Sequence, residues 1–173
     1  MSGRLSRQKS VVRPAAALQG TAPPVQSFDD LDLKILRSVL ADSRTSARRM
    51  ASELGVSTST VTARIERLKR SRVLQGFTAK VDYQKLGYEL TVITEIIVSK
   101  GKLVEMEKEI AKVSGVLAVY DVTGEIDAIV ISKCRDREEL SRFTKGLLAM
   151  PFVERTNSHV VLTTVKEDFR VPI

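Results

Sequence analysis

The stretch from Thr45 to Gly76, TSARRMASELGVSTSTVTARIERLKRSRVLQG, reads as two short helices joined by a glycine turn, the second of them basic and rich in hydroxyls. Ala47, Met50, Ala51 and Leu54 recur at i, i+3, i+4 and i+7, one apolar stripe on a first helix that Thr45 or Ser46 caps. Gly55 ends the stripe. A glycine takes the positive φ of a tight turn, and the small Ala51 lets the next helix cross close by. Val56 anchors the turn, Ser57 is a good N-cap, and Val61, Ile65 and Leu68 carry the apolar pattern to the same core. The opposite face is polar: Thr58, Ser59, Thr60 and Thr62 crowd the first turns, where a recognition helix meets base edges, and Arg64, Arg67, Lys69, Arg70 and Arg72 follow. Upstream, Asp29, Asp30 and Asp32 sit at the N-terminal dipole of a further helix whose buried side is Leu31, Ile35, Leu36, Val39 and Leu40. Together these predict a helix-turn-helix DNA-binding domain over residues 28–72.

A generic three-helix bundle with a solvated basic face is the competing reading, and the distribution of charge weighs against it. From Thr45 to Arg72 there are seven basic and two acidic residues, whereas residues 87–173 hold twelve basic and fourteen acidic ones. Residues 1–28 add four cations and no acid, so the excess of positive charge behind the chain's net +7 lies entirely before residue 87. A polyanionic partner, double-stranded DNA, accounts for that localisation. Ser59, Thr60 and Thr62 are the candidates for base or near-base contacts, with Ser57 and Thr58 beside them. Arg48, Arg49, Arg67, Lys69 and Arg70 suit phosphates, which position without specifying. Arg64 reads as a base-edge or phosphate contact, or alternatively as a support within the domain.

Composition excludes several classes. One cysteine, Cys134, forms no disulfide framework within a chain, and with one histidine, His159, it leaves no zinc-finger spacing; no metal site and no cofactor is expected. No apolar run approaches the ~20 residues of a membrane helix, and Arg13 and Pro14 interrupt the N-terminal apolar stretch, so the expectation is a cytoplasmic protein with no membrane partner. No Ser/His/Asp set, phosphate loop or paired-carboxylate motif has a credible context, so it is not expected to be an enzyme. Residues 1–27 hold three of the five prolines and read as a disordered basic arm. Three readings of the arm stay open: it follows the DNA, it is a dispensable extension, or its apolar residues dock on a neighbouring subunit.

After Val73–Gly87, an extended hinge or wing strand, the period changes. Glu89–Ser99 is β-branched nearly throughout and predicts a strand; Leu103, Met106, Ile110 and Val113 mark a helix over Lys102–Val113. Strands over Val116–Thr123 and Ala128–Lys133, a helix over Asp136–Met150 and a strand over Val153–Val165 complete a βαββαβ order. The class is α+β, with a ferredoxin-like domain over residues 88–173 built on a four-stranded antiparallel sheet. Alternation puts Leu90, Val92, Ile96 and Val98 on one face of the first strand and Ile93 and Ile97 on the other. In the second strand Val116, Ala118, Tyr120 and Val122 oppose Leu117 and Val119. Both faces are apolar and two helices cover one, so the other is expected to pack on a second protomer, making a homodimer with two recognition helices.

Leu31-Asp32-Leu33-Lys34-Ile35-Leu36, Ala51-Ser52-Glu53-Leu54-Gly55-Val56-Ser57, Arg64-Ile65-Glu66-Arg67-Leu68 and Val73 to Ala79 with Leu86-Gly87 resemble the Lrp/AsnC family of feast/famine regulators. Val116 to Tyr120, the Gly124-x-x-Asp127 turn and Val153-Glu154-Arg155-Thr156 extend the resemblance over residues 28 to about 168; an arm before Phe28 departs from the usual pattern. The resemblance implies a transcriptional regulator with a C-terminal ligand-sensing domain, assembled as dimers that form octamers or larger discs and that bind an amino acid between dimers. On that basis the effector lies near Gly124, Glu125, Ile126 and Asp127 and the last strand, where Thr156 and Ser158 match hydroxylated positions. Asp127 would hold an α-ammonium, and turn amides with hydroxyls an α-carboxylate; equally, Gly124 makes a plain β-turn that Asp127 caps. The function expected is sequence-specific regulation of transcription modulated by an amino acid or related metabolite, the alternative being an architectural DNA-compacting protein without an effector.

Overall fold

Side-chain caps set where the first helices begin. The computed structural model describes residues 27–99 and 101–173, so the arm lies outside the described residues except for Ser27. Helices α1 (Asp30–Ala41), α2 (Ala47–Leu54) and α3 (Thr58–Arg70) follow one another. Asp29 accepts from the Asp32 amide at 2.9 Å while Asp32 accepts from the Asp29 amide at 3.1 Å, a reciprocal cap at α1. Ser46 accepts from the Arg49 amide and caps α2; Gly55, at φ 68°, ends it, and the Val56 amide bonds back to the Ala51 carbonyl at 3.1 Å. The core joins Ile35, Leu36 and Val39 of α1 to Met50 and Ala51 of α2 and Val61 and Leu68 of α3. Leu40, expected on the buried side, is exposed at the margin of its stripe.

The chain divides between Phe77 and Thr78, Pro172 and Ile173 grouping with the helical unit. The hinge or wing strand predicted over residues 73–87 is not formed. A strand exists only as one side of a ladder, and this segment has none among the described residues; it is irregular, with a 3₁₀ turn at Gln84–Leu86.

The second unit has the predicted βαββαβ order: β1 (Leu90–Val98), α4 (Leu103–Ile110), β2 (Val116–Asp121), β3 (Ala128–Cys134), α5 (Arg137–Leu148) and β4 (Val153–Val160). The sheet order is β2-β3-β1-β4, every pair antiparallel. β4 stops at Val160 rather than Val165, because the Val161 amide makes the final ladder bond to the Thr91 carbonyl and β1 begins at Leu90. Val92, Ile96 and Val98 of β1 and Ala128, Val130 and Cys134 of β3 pack against Met106 and Ile110 of α4 and Phe143 and Leu147 of α5. Burial pushes the Cys134 thiol above its ordinary value, which keeps it protonated and unreactive.

The alternation predicted for β2 needs correcting. Its pairing with β3 shifts between Val116 and Ala118, a bulge that turns the chain over by one residue. Val116 therefore lies opposite Ser132, and Val119 opposite Val130, both against the helix-covered core, while Ala118 and Tyr120 face the open side opposite Ile131 and Ile129. Gly115 makes the bulge feasible: its φ is 85°, and a Cβ there would stand 2.7 Å from the Lys133 carbonyl oxygen. A second shift falls in the β1–β4 pairing, between Ile97 and Val98. The open face carries Ile93, Glu95 and Ile97 of β1 with Ile129 and Ile131 of β3, all half-buried.

Candidate nucleic-acid interface and effector site

α3 is organised around its cap. Ser57 accepts from the Thr60 amide at 3.1 Å, and its hydroxyl lies 2.8 Å from those of both Ser59 and Thr60. Thr60 is half-buried in this ring of hydroxyls; the Thr62 hydroxyl donates to the Thr58 carbonyl at 3.0 Å. With Val61 and Leu68 buried, the outward stripe at helical spacing is Ser59, Thr62, Ala63, Glu66 and Arg70. Ala63 and Glu66 were not among the sequence-derived candidates; their offsets of four and seven from Ser59 were the available signal. A small apolar side chain and a carboxylate on that stripe suit a thymine methyl and a cytosine amine.

The cations divide into held and free. Arg64 reaches Asp29 and, at 3.2 Å, Asp32; Arg67 bonds the other oxygen of Asp32. Asp32 is fully buried, so two recognition-helix guanidiniums clamp a carboxylate of α1 and fix the angle at which the helices cross. The Asp32 amide and then the Arg64 guanidinium hold the Asp29 carboxyl below the usual range. Both arginines, expected to face DNA, are thus engaged from behind; of the two Arg64 readings, the structure favours support within the domain. Arg49 is paired with Glu53 at 2.8 Å and Lys69 with Glu66 at 2.9 Å. Arg48, Arg70 and Arg72 form no ion pair with any other described residue. Beside the end of α3 a hollow of 460 Å³ is lined by Ser27, Phe28, Arg67, Arg70 and Ser71, a cationic recess open to an anion.

On the open face of the sheet, Glu95, Ile97, Glu125, Ile126, Arg155 and Asn157 line a hollow of 190 Å³. Asn157 donates to Glu95 at 3.1 Å and lies 3.1 Å from the His159 ring nitrogen, which is 3.5 Å from Glu95. Two carboxylates and one guanidinium around a small apolar patch match the two charges of a zwitterion. Glu125 and Ile126 of the predicted set line it, and Gly124, at φ 131°, shapes the turn. Three predicted residues do other work. Asp127 accepts from the Val98 amide at 2.8 Å, and its own amide bonds the Ile96 carbonyl, stapling the turn to β1. Thr156 and Ser158 lie opposite Ile96 and Thr94, on the helix-covered face, where the Ser158 and Thr94 hydroxyls are 3.0 Å apart. The strand alternates, so Arg155 and Asn157, which the sequence reading passed over, are the β4 residues at the hollow. Among the described residues no cluster of acidic, histidine or cysteine side chains could hold a metal, and no helix is long and apolar enough to cross a membrane.

Residues 28–69 match the AsnC-type helix-turn-helix domain, and residues 91–171 the Lrp/AsnC ligand binding domain. An uncharacterised HTH-type transcriptional regulator of Pyrococcus abyssi is 50% identical over 144 residues, covering 83% of this chain and 98% of its own. The HTH-type transcriptional regulator FL11 of Pyrococcus horikoshii is 33% identical over 146 residues, covering 84% and 97%. Among solved structures, a transcriptional regulator of Neisseria meningitidis in complex with L-Met superposes with a TM-score of 0.77 at 21% identity, over 84% of this chain and 97% of that one.

Proposed function

Because this chain belongs to the Lrp/AsnC family of HTH-type transcriptional regulators, and so is a DNA-binding regulator and not an enzyme, we propose that it binds specific palindromic operators as a dimer and is modulated by an amino acid. The observation that carries the reading is the outward stripe of α3, Ser59, Thr62, Ala63, Glu66 and Arg70, on a helix whose remaining arginines are turned inward onto Asp32. Small polar and apolar groups on that stripe discriminate base edges, while Arg48 and Arg70 hold the flanking phosphates. The apolar open face beyond the hollow, Ile93, Ile129 and Ile131, supports pairing of two protomers, and pairs of dimers assembling further would give the octamers of the expected plan.

The hollow beside Arg155 is the effector site in this reading. Arg155 takes the α-carboxylate, Glu95 or Glu125 the α-ammonium, and Ile97 and Ile126 the side chain. The bound L-Met of the Neisseria regulator supports this choice of ligand class. Footprinting on genomic fragments tests the first half: a few phased, two-fold symmetric protected sites are expected, and uniform coverage would favour DNA compaction instead. Thermal unfolding against the twenty amino acids tests the second, since a ligand at 100 times its Kd adds ~2.7 kcal/mol.

A further inference from the structure

Arg72 occupies a backbone conformation that favours glycine. At the end of α3 the Ser71 amide bonds the Arg67 carbonyl at 2.9 Å, the Arg72 amide bonds that of Lys69 at 2.9 Å, and the Leu74 amide reaches back to Leu68 at 3.0 Å. That is a helix stop of the kind glycine usually provides, and Arg72 sits in it at φ 58°, the one positive-φ residue other than glycine among those described. A Cβ crowds the neighbouring carbonyl there. Elsewhere the chain meets the same demand with glycine, at Gly55, Gly87 and Gly115. The stop uses the left-handed backbone, through its hydrogen bonds and the seating of Leu74 on the core, but it does not use the side chain: Arg72 is exposed and forms no ion pair with another described residue. A side chain kept at a position where glycine would serve the fold better points to a demand from outside the domain.

The surroundings say what that demand is. Arg72, Lys69, Leu74, Gln75 and Gly76 line a groove of 630 Å³. Leu74 packs on the core, and the Lys69 ammonium lies 5.7 Å from the Phe77 ring, which ties the segment leaving α3 to the helix end. The nearby carboxylate, Glu66, is taken by Lys69 at 2.9 Å, so Arg72 is the uncompensated charge of the groove. The carbonyl end of a helix repels an anion unless cations offset it, and here an arginine stands one residue past the cap.

We propose that Arg72 is a DNA-phosphate anchor at the trailing end of the recognition helix, its left-handed backbone kept because a charge is required at that point. The proposal rests on the DNA-binding reading above. Its test is the full chain with Arg72→Gly and Arg72→Lys, measured by thermal melting and by titration of a mixed-sequence duplex at several salt concentrations. Arg72→Gly is expected to melt at the same temperature or higher yet bind more weakly, with the loss of affinity between about 50 and 200 mM salt reduced ~3.5-fold per bound chain, as one lost phosphate contact requires. Arg72→Lys is expected to bind like the parent. Unchanged affinity and salt slope in Arg72→Gly overturn the anchor, and so does a lower melting temperature, which would make the arginine a structural element. A parent chain that fails to retain the duplex overturns the DNA-binding reading itself, and the anchor with it.

Discussion

The helical unit and the sheet unit treat charge in opposite ways. In the first a carboxylate, Asp32, is wholly buried and bridges α1 to α3 through Arg64 and Arg67. In the second the buried polar residues are the neutral Thr94 and Ser132, and Glu95, Arg155 and His159 stand on the uncovered sheet face. A buried, hydrogen-bonded ion cluster tolerates few geometries, so it fixes a crossing angle and makes the recognition helix a rigid reader. Charges on an open face are free to meet a ligand or a second chain. The contrast separates a unit whose specificity is internal from one whose function needs something added.

The sharpest way to break that contrast is Asp32→Ala, which removes the buried acceptor of Arg67 and of the Asp29 amide while Arg64 keeps Asp29, and is expected to lower the stability of the helical unit by about 2–4 kcal/mol. Denaturant unfolding followed by circular dichroism measures it, and a cost below about 1 kcal/mol would mean the cluster does not organise the unit. Next in size, Ile131→Asp puts a charge on the open face. Sedimentation is expected to show self-association weakened by about 2–3 kcal/mol, roughly 30- to 150-fold, with secondary structure retained; an unaltered dimer would remove that face from assembly. At the hollow, Arg155→Ala is expected to weaken an amino-acid effector by about 1.5–3 kcal/mol, the worth of a hydrogen bond to a charged group. Thr156→Val and Ser158→Ala, whose side chains lie across the sheet, should leave the ligand-induced thermal shift in place, and the reverse pattern would relocate the site.

The smallest effect concerns Asp29. Its carboxyl is held below the usual range, so it contributes stability above the unfolded value of about 4 that is lost as the pH falls through the lower folded value. Between about pH 6 and pH 3 the parent helical unit is therefore expected to lose more stability than Asp29→Asn, which keeps a good N-cap. Parallel curves for the two would show that the charge on Asp29 adds nothing.

Local signals in the sequence carried most of the fold. Asp29, Ser46, Ser57 and Gly55 announce their helix ends because caps act within three residues, and the stripes of α4 and α5 show which faces are buried. What stayed hidden depends on partners distant in the chain. Arg64 and Arg67 share a helical face legibly, but only the crossing of α1 over α3 reveals that Asp32 waits behind them. The face of β4 could not be read because Glu154 to His159 contains no apolar residue to mark the inside; its register is set by pairing with β1. In β2 both rows are apolar, so either alternation was consistent, and Gly115 was the sole hint of a bulge.

That bulge has a consequence for how copies of the chain meet. β2 and β4 are the two margins of the sheet, and the pairing that joins each of them to the interior slips register once, at Val116/Ala118 and at Ile97/Val98. A margin that kinks offers a neighbour no straight row of amides and carbonyls to zip against. Growth sideways into an endless ribbon is thereby disfavoured, and contact is steered to the broad flat side of the sheet, so that whatever assembly forms is built from stacked faces rather than from joined edges.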